Sequence, residues 1–161
     1  ALGRLNAWAF ARNLAADHPI FGGGFQAFTK DLFLQYAPNP ADHHDAHSIY
    51  FEVLAEQGYP GLVLFLSIGV LIFLTCGRVR RQCRDASQAD WIFQLAGFIQ
   101  VSLIGYAVGG MFLGLAYWDF LYHLAALTLV LSRAAANTFR EHADQTAVIA
   151  ADTGLSTAKT N

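Results

Sequence analysis

The sequence predicts an all-α membrane protein, with about three transmembrane helices plus outer amphipathic helices, as a fragment of a larger polytopic helix bundle. Three observations carry this. The composition is 55% apolar against 14% charged, above the roughly 45–50% apolar share of soluble domains. The charges are segregated: none lies in residues 60–77 and none in 91–118, whereas a core helix of a soluble protein keeps a polar stripe on its outer face. Finally, Arg78, Arg80, Arg81 and Arg84 follow the first uncharged run at once, as expected of a short loop retained in the cytoplasm.

Taken in order, residues 4–16 have helical periodicity, with Leu5, Trp8, Ala9 and Arg12 at i, i+3, i+4, i+7 spacing. Asp17-His18-Pro19 ends that helix, because the residue before a proline avoids the α region. Gly22, Gly23 and Gly24 form a flexible turn, and 25–36 reads as a second amphipathic helix exposing Lys30 and Asp31. The two prolines of 37–42 make a loop. Asp45 is placed as N-cap of a helix over 46–57, ended by Gly58 and Pro60.

Residues 60–77 are 18 uncharged positions; at about 1.5 Å per residue they reach roughly 27 Å, close to the hydrocarbon thickness. The longer apolar stretch after the Arg cluster divides into two helices, roughly 91–112 and 116–135, with a turn near Gly114. Tyr106, Tyr117, Trp118 and Tyr122 suit an interfacial aromatic belt there, and Gly105, Gly109 and Gly110 suit close helix contact. The domain plan is thus an outer segment 1–59, three spans within 60–136 joined by a cytoplasmic loop 78–90, and a polar tail 137–161 expected to be disordered. Ala1 reads as an internal cut point, with further spans expected before it. Cys76 and Cys83 flank the cytoplasmic Arg cluster, where a disulfide is not expected. A net charge of −2 leaves no basic footprint for nucleic acid.

The densest polar cluster is Asp42-His43-His44-Asp45-Ala46-His47, in the outer loop before a helix that enters the membrane. Three readings are open for it: a solvated polar loop; a divalent-metal site, for which the mix of His and carboxylate is suitable but the spacing departs from two ligands at i, i+4 on one helix; or a catalytic base at a helix start. Glu52 and Glu56 share a helix face at i, i+4, either as supports for such a site or as ordinary exposed carboxylates. Asp119 and His123, four apart at the outer end of the last helix, read as an interfacial anchor beside Trp118 or as supporting groups.

His47-Ser48, nine residues, Gly58 and then Gly61-Leu62 resemble the signature of the O-antigen ligase and O-antigen polymerase superfamily, with Leu62 departing from its usual last residue. Gly3-Arg4, Trp8, Pro19, Gly22, Gly24 and Phe28 are similar to that family's outer-loop pattern, so the resemblance runs from Gly3 to about Leu66. The wording around DHPIFGGGF and HDAHSIYFEVLAEQG resembles exosortase-associated O-glycosylation ligases. The resemblance implies a metal- and cofactor-independent glycosyltransferase of the bacterial inner membrane. Such an enzyme moves a glycan from undecaprenyl diphosphate to an acceptor hydroxyl, of a lipid core sugar or a protein, on the periplasmic face. It implies His47 as the base, with Ser48 beside it. Arg4, then Arg12, are the candidate cations for the diphosphate, since a guanidinium grips phosphate bidentately. Polymerase activity of the same superfamily and a non-catalytic assembly subunit are the alternatives.

Overall fold

The structure, a computed structural model, describes residues 2–84, 86 and 89–157, with side chains as far as Ile149. It contains five helices and, among the described residues, no strand: α1 (Leu2–Asp17), α2 (Lys30–Tyr36), α3 (Ile49–Cys83), α4 (Asp90–Gly110) and α5 (Phe120–Thr157).

α1 is rich in Ala and free of β-branched residues, which favours helix. The face it buries is not the Leu5, Trp8, Ala9 and Arg12 stripe that marks its periodicity. Ala7, Phe10, Ala11 and Leu14, at the same i, i+3, i+4, i+7 spacing, are wholly buried, while Leu5 and Arg12 are exposed. Phe10 decides this, because its ring stacks on Phe33 of α2 at 4.2 Å between centroids. With Ala27 and Ala55 these residues form the core of the outer segment. α2 is shorter than the expected 25–36. Gln26 has a positive φ of 60°, and Thr29 stands extended as N-cap, its Oγ1 accepting from the Leu32 N–H. Lys30 and Asp31 are exposed, as read from the sequence.

α3 joins the outer segment to the bundle. Its N-cap position is Ser48, not Asp45, and Ser48 makes no side-chain capping bond. At Gly58 the backbone leaves the helix (φ 67°, ψ −167°), a region open in practice only to glycine. This kink and Pro60, which has no N–H, free the carbonyls of Ala55 and Glu56 from their usual i+4 donors. Both are satisfied by the glycine turn: the Gly23 N–H donates to Ala55 O at 2.8 Å and the Gly24 N–H to Glu56 O at 3.1 Å, while the Tyr59 N–H donates to Pro19 O at 3.0 Å. The approach is close enough that a Cβ on Gly22 would stand 2.5 Å from Ala55 O, and one on Gly58 2.6 Å from Pro19 O.

Beyond the kink, α3, α4 and α5 pack around Ile72, Cys76, Val79, Ile92, Ile99, Leu103, Leu121, Leu124 and Leu131. Cys76 and Cys83 are free and buried. α3 and α4 are long and apolar enough to cross a membrane. The helix expected as a third span, α5, is not among the helices that meet this length and apolarity; it begins later than Ala116, at Phe120, because 111–119 form a loop held by the Tyr106 hydroxyl donating to Leu115 O at 2.9 Å. Tyr106 is therefore buried and not on the aromatic belt. Gly110 lies against Ile49, whereas Gly105 and Gly109 face open space. The tail is also corrected: α5 continues helical through Thr157, where disorder was expected from residue 137. The four alanines of 137–157 favour helix, and residues 137–149 bury little surface. Of the 78–90 loop and the tail, residues 85, 87, 88 and 158–161 lie outside the described residues.

Candidate functional site

The three histidines of the 42–47 cluster go three different ways. His44 pairs with Asp42 through Nδ1 at 2.8 Å. His43 turns inward, with Nε2 2.9 Å from Phe28 O and its ring edge-on to Phe33. His47 remains exposed beside a cleft of about 390 Å³ lined by Gln26, Phe28, Asp45, Ala46, His47, Glu52, Glu56 and Gly114.

His47 is positioned by its neighbours. Ala46 and Ser48 are buried on either side of it. The Ala46 carbonyl accepts from Trp8 Nε1 at 2.9 Å, and Trp8 stacks on Phe51 of α3 with centroids 4.8 Å apart. Upstream, the Asn6 side chain donates to Asn39 O and Asp42 O and accepts from the Asn39 N–H. Held at both ends, the backbone at His47 takes φ 43°, a left-handed conformation that non-glycine residues rarely adopt. Gln26 is the other such residue among those described, and it too lines the cleft. Backbone strain of this kind concentrates at functional sites. His47 thus precedes α3 by two residues, where the sequence suggested that it begins the helix.

Glu52 and Glu56 both face the cleft, as their i, i+4 spacing requires. Glu56 is buried and fully engaged: Oε1 accepts from the Gln26 N–H at 2.8 Å and Oε2 from the Tyr117 hydroxyl. Tyr117 also accepts from Gln57 Nε2 at 3.2 Å, and burial, then the Glu56 carboxylate, push its hydroxyl well above the ordinary value. Glu52 lies in α3 before the kink, outside the apolar run 60–77. Its Oε2 is withdrawn from solvent. Burial raises its carboxyl pKa; Ala116 N–H tempers the shift, and Glu56 and Asp45 add to it.

Residues 1–66 match the family model described as O-antigen ligase. This supports membership of the O-antigen ligase superfamily, the family its motifs resemble. No curated protein and no solved structure matches the chain. The matched region takes in the outer segment, the kink and the first turn beyond it, and so all of the cleft except the wall formed by Gly114.

The remaining candidates sit apart from the cleft, Arg4 and Arg12 inside the matched stretch and Asp119 and His123 beyond it. Arg4 and Arg12 are exposed on α1 and do not line it; Arg4 follows Gly3, which packs against the Asp42–His44 pair. Asp119 and His123 are exposed at the start of α5, where the His123 ring Nδ1 lies 2.7 Å from its own helix's Asp119 O. Sequence reasoning missed Gln26, Tyr117 and the role of Gly114. Gln26 and Tyr117 reach Glu56 across 30 and 61 residues of chain, distances that leave no local pattern.

Proposed function

We propose that this chain carries the catalytic outer segment of a glycan ligase. It would move a glycan from undecaprenyl diphosphate to an acceptor hydroxyl at the periplasmic face of the bacterial inner membrane. The observation that carries the proposal is His47, a histidine held in a left-handed backbone conformation beside a carboxylate-rich cleft, inside the region that matches the O-antigen ligase family. In the reaction the acceptor oxygen attacks the anomeric carbon and the bond from that carbon to the diphosphate oxygen breaks. The acceptor's proton passes to the His47 imidazole, and the polyprenyl diphosphate leaves with the electron pair. An imidazole suits the first role at neutral pH. Arg4 and Arg12, exposed on the neighbouring α1, are the cations of this segment that would meet the diphosphate. The wording around the glycine turn and His47 supports an exosortase-associated subtype.

The Arg cluster after residue 77 supports an outward-facing cleft. A thiol reagent that cannot cross the bilayer reads this directly, since a cysteine in the cleft reacts in intact cells only if the cleft faces outward. The activity is tested with His47→Ala in the full-length enzyme, assayed for transfer from purified lipid-linked donor. Removal of a general base lowers turnover by about 10²-fold or more while the protein stays folded. Near wild-type turnover would remove His47 from the chemistry.

A further inference from the structure

Residues 19–29 carry no charge, between Asp17 on one side and Lys30 and Asp31 on the other. The turn they form has two unlike sides. Inward, Ala27 is buried, and Gly23 lies against Leu14 and Ala27. Outward, Ile20, Phe21 and Phe25 are exposed, Phe21 by 81% and Phe25 by 77%. Three large apolar side chains on one uncharged tip are costly to leave in water.

The backbone of the tip needs little water. The Gly22 N–H donates to His18 O at 2.9 Å, those of Gly23 and Gly24 donate to Ala55 O and Glu56 O, and that of Gln26 donates to Glu56 Oε1. A loop whose donors are already engaged can enter an apolar surround without the penalty of unmade hydrogen bonds. The same bonds fix its height. They set the turn beside residues 55–59 of α3, where the Tyr59 N–H donates to Pro19 O. The uncharged run begins at the next residue, Pro60, and Val63 and Leu64 are its first strongly exposed side chains. Four or five helical residues cover about 6–8 Å, so the apolar tip adjoins the lipid-facing surface of the span. Tyr59, Tyr117 and Trp118 are exposed at the same end, and the Phe25 ring lies 5.5 Å from that of Tyr117.

We propose that the 19–25 turn is a membrane-surface contact, with Ile20, Phe21 and Phe25 inserted into the lipid interface beside the entry of α3. The tip has no charge to pair with a protein partner, and those amides have no donor to spare. Gln26 and Phe28, which line the cleft, follow the tip directly, so its insertion sets the height of the cleft over the bilayer. The inference rests on α3 as a span and not on the chemistry assigned to His47.

The test uses the full-length enzyme in phosphatidylcholine vesicles, with a bimane fluorophore on Phe21→Cys. Cys76 and Cys83 are buried, so in this chain the new thiol is the accessible one, and the unsubstituted enzyme is the blank. An interfacial group lies about 5–10 Å into the boundary of headgroups and acyl chains. Lipids brominated on the acyl chain near the headgroup are therefore expected to quench the label. Aqueous iodide is expected to quench it about tenfold less than the same label on the exposed Asp31→Cys. Iodide quenching as strong as at Asp31 would leave the turn in water. Quenching by neither agent would mean that protein covers it, whether another part of the chain or a second copy. Either result overturns the proposal. The label is itself apolar, so a second variant separates its pull from that of the turn. With the label on Ile20→Cys, adding Phe21→Asp is expected to weaken lipid quenching and restore iodide quenching; no change would show that the label alone seeks the lipid, and so overturn the proposal. Neither measurement needs turnover, so failure here is distinct from failure of the His47→Ala test.

Discussion

The outer segment and the helical bundle are held together in different ways. In the outer segment the large side chains Phe10, Leu14 and Phe33 are wholly buried, and side chains such as Asn6, Trp8 and Asn13 bond backbone carbonyls to hold its loops. That is how a water-facing domain fixes its core, although Leu2, Phe21 and Phe25 of the same segment stand about four-fifths exposed. In the bundle Leu64, Val101 and Leu129 are each about two-thirds exposed, and side chain–backbone bonds are mostly made within one helix, as by Ser67, Thr128 and Ser132. That pattern fits a hydrocarbon surround, in which apolar side chains need no cover and each helix satisfies its own backbone. The first part of α3 obeys both rules at once, with Ala55 in the outer core and Val53 in the bundle core. The cleft opens where the two regimes meet.

The comparison breaks most sharply at their junction. Gly58→Ala forces a Cβ to within 2.6 Å of Pro19 O at φ 67°, and is expected to cost about 3 kcal/mol or more, read as loss of the folded, detergent-soluble full-length enzyme. A comparable effect separates the two regions themselves. Phe10→Ala should destabilise by about 3–5 kcal/mol through its cavity, whereas Leu64→Ala, on an outward face, should change stability by no more than about 0.5 kcal/mol. Thermal unfolding of the two variants in the same detergent checks this, and equal losses would erase the distinction. The smallest effect concerns pH. Because burial raises the Glu52 carboxyl above its ordinary 4.5, the folded state holds that proton more tightly. The resulting stability is complete below the unfolded-state value and is lost as pH rises through the raised folded value. Glu52→Gln should flatten that decline, as seen in melting temperature against pH.

Much of this was legible in residue order. Uncharged runs and the Arg cluster marked α3, α4 and the loop between them, and the spacing of Glu52 and Glu56 put both on the cleft. His47 was singled out by its motif, not by its conformation, because a positive φ at a histidine depends on what grips the chain at Ala46 and Ser48. The buried face of α1 was not legible, since periodicity admits more than one stripe on an Ala-rich helix, and only the meeting of Phe10 with Phe33 chooses between them. The helical tail was not legible, because its four alanines stand among threonines and aspartates of low helix propensity. The cleft's far wall was invisible, since Gly114 gains meaning only when α4 and α5 bring it over His47.

The exchange of backbone bonds at the kink has a consequence for recombination. Residues 18–24 and 55–60 form one joint made from two stretches of chain, with amides of one completing the helix of the other. The outer segment is thus not a cassette that can be exchanged at the start of α3. A chimera joined at residue 48 would pair a foreign glycine turn with a native kink and leave two carbonyls without donors. A crossover after residue 62 moves the joint as a unit, and it falls just inside the stretch that matches the O-antigen ligase family.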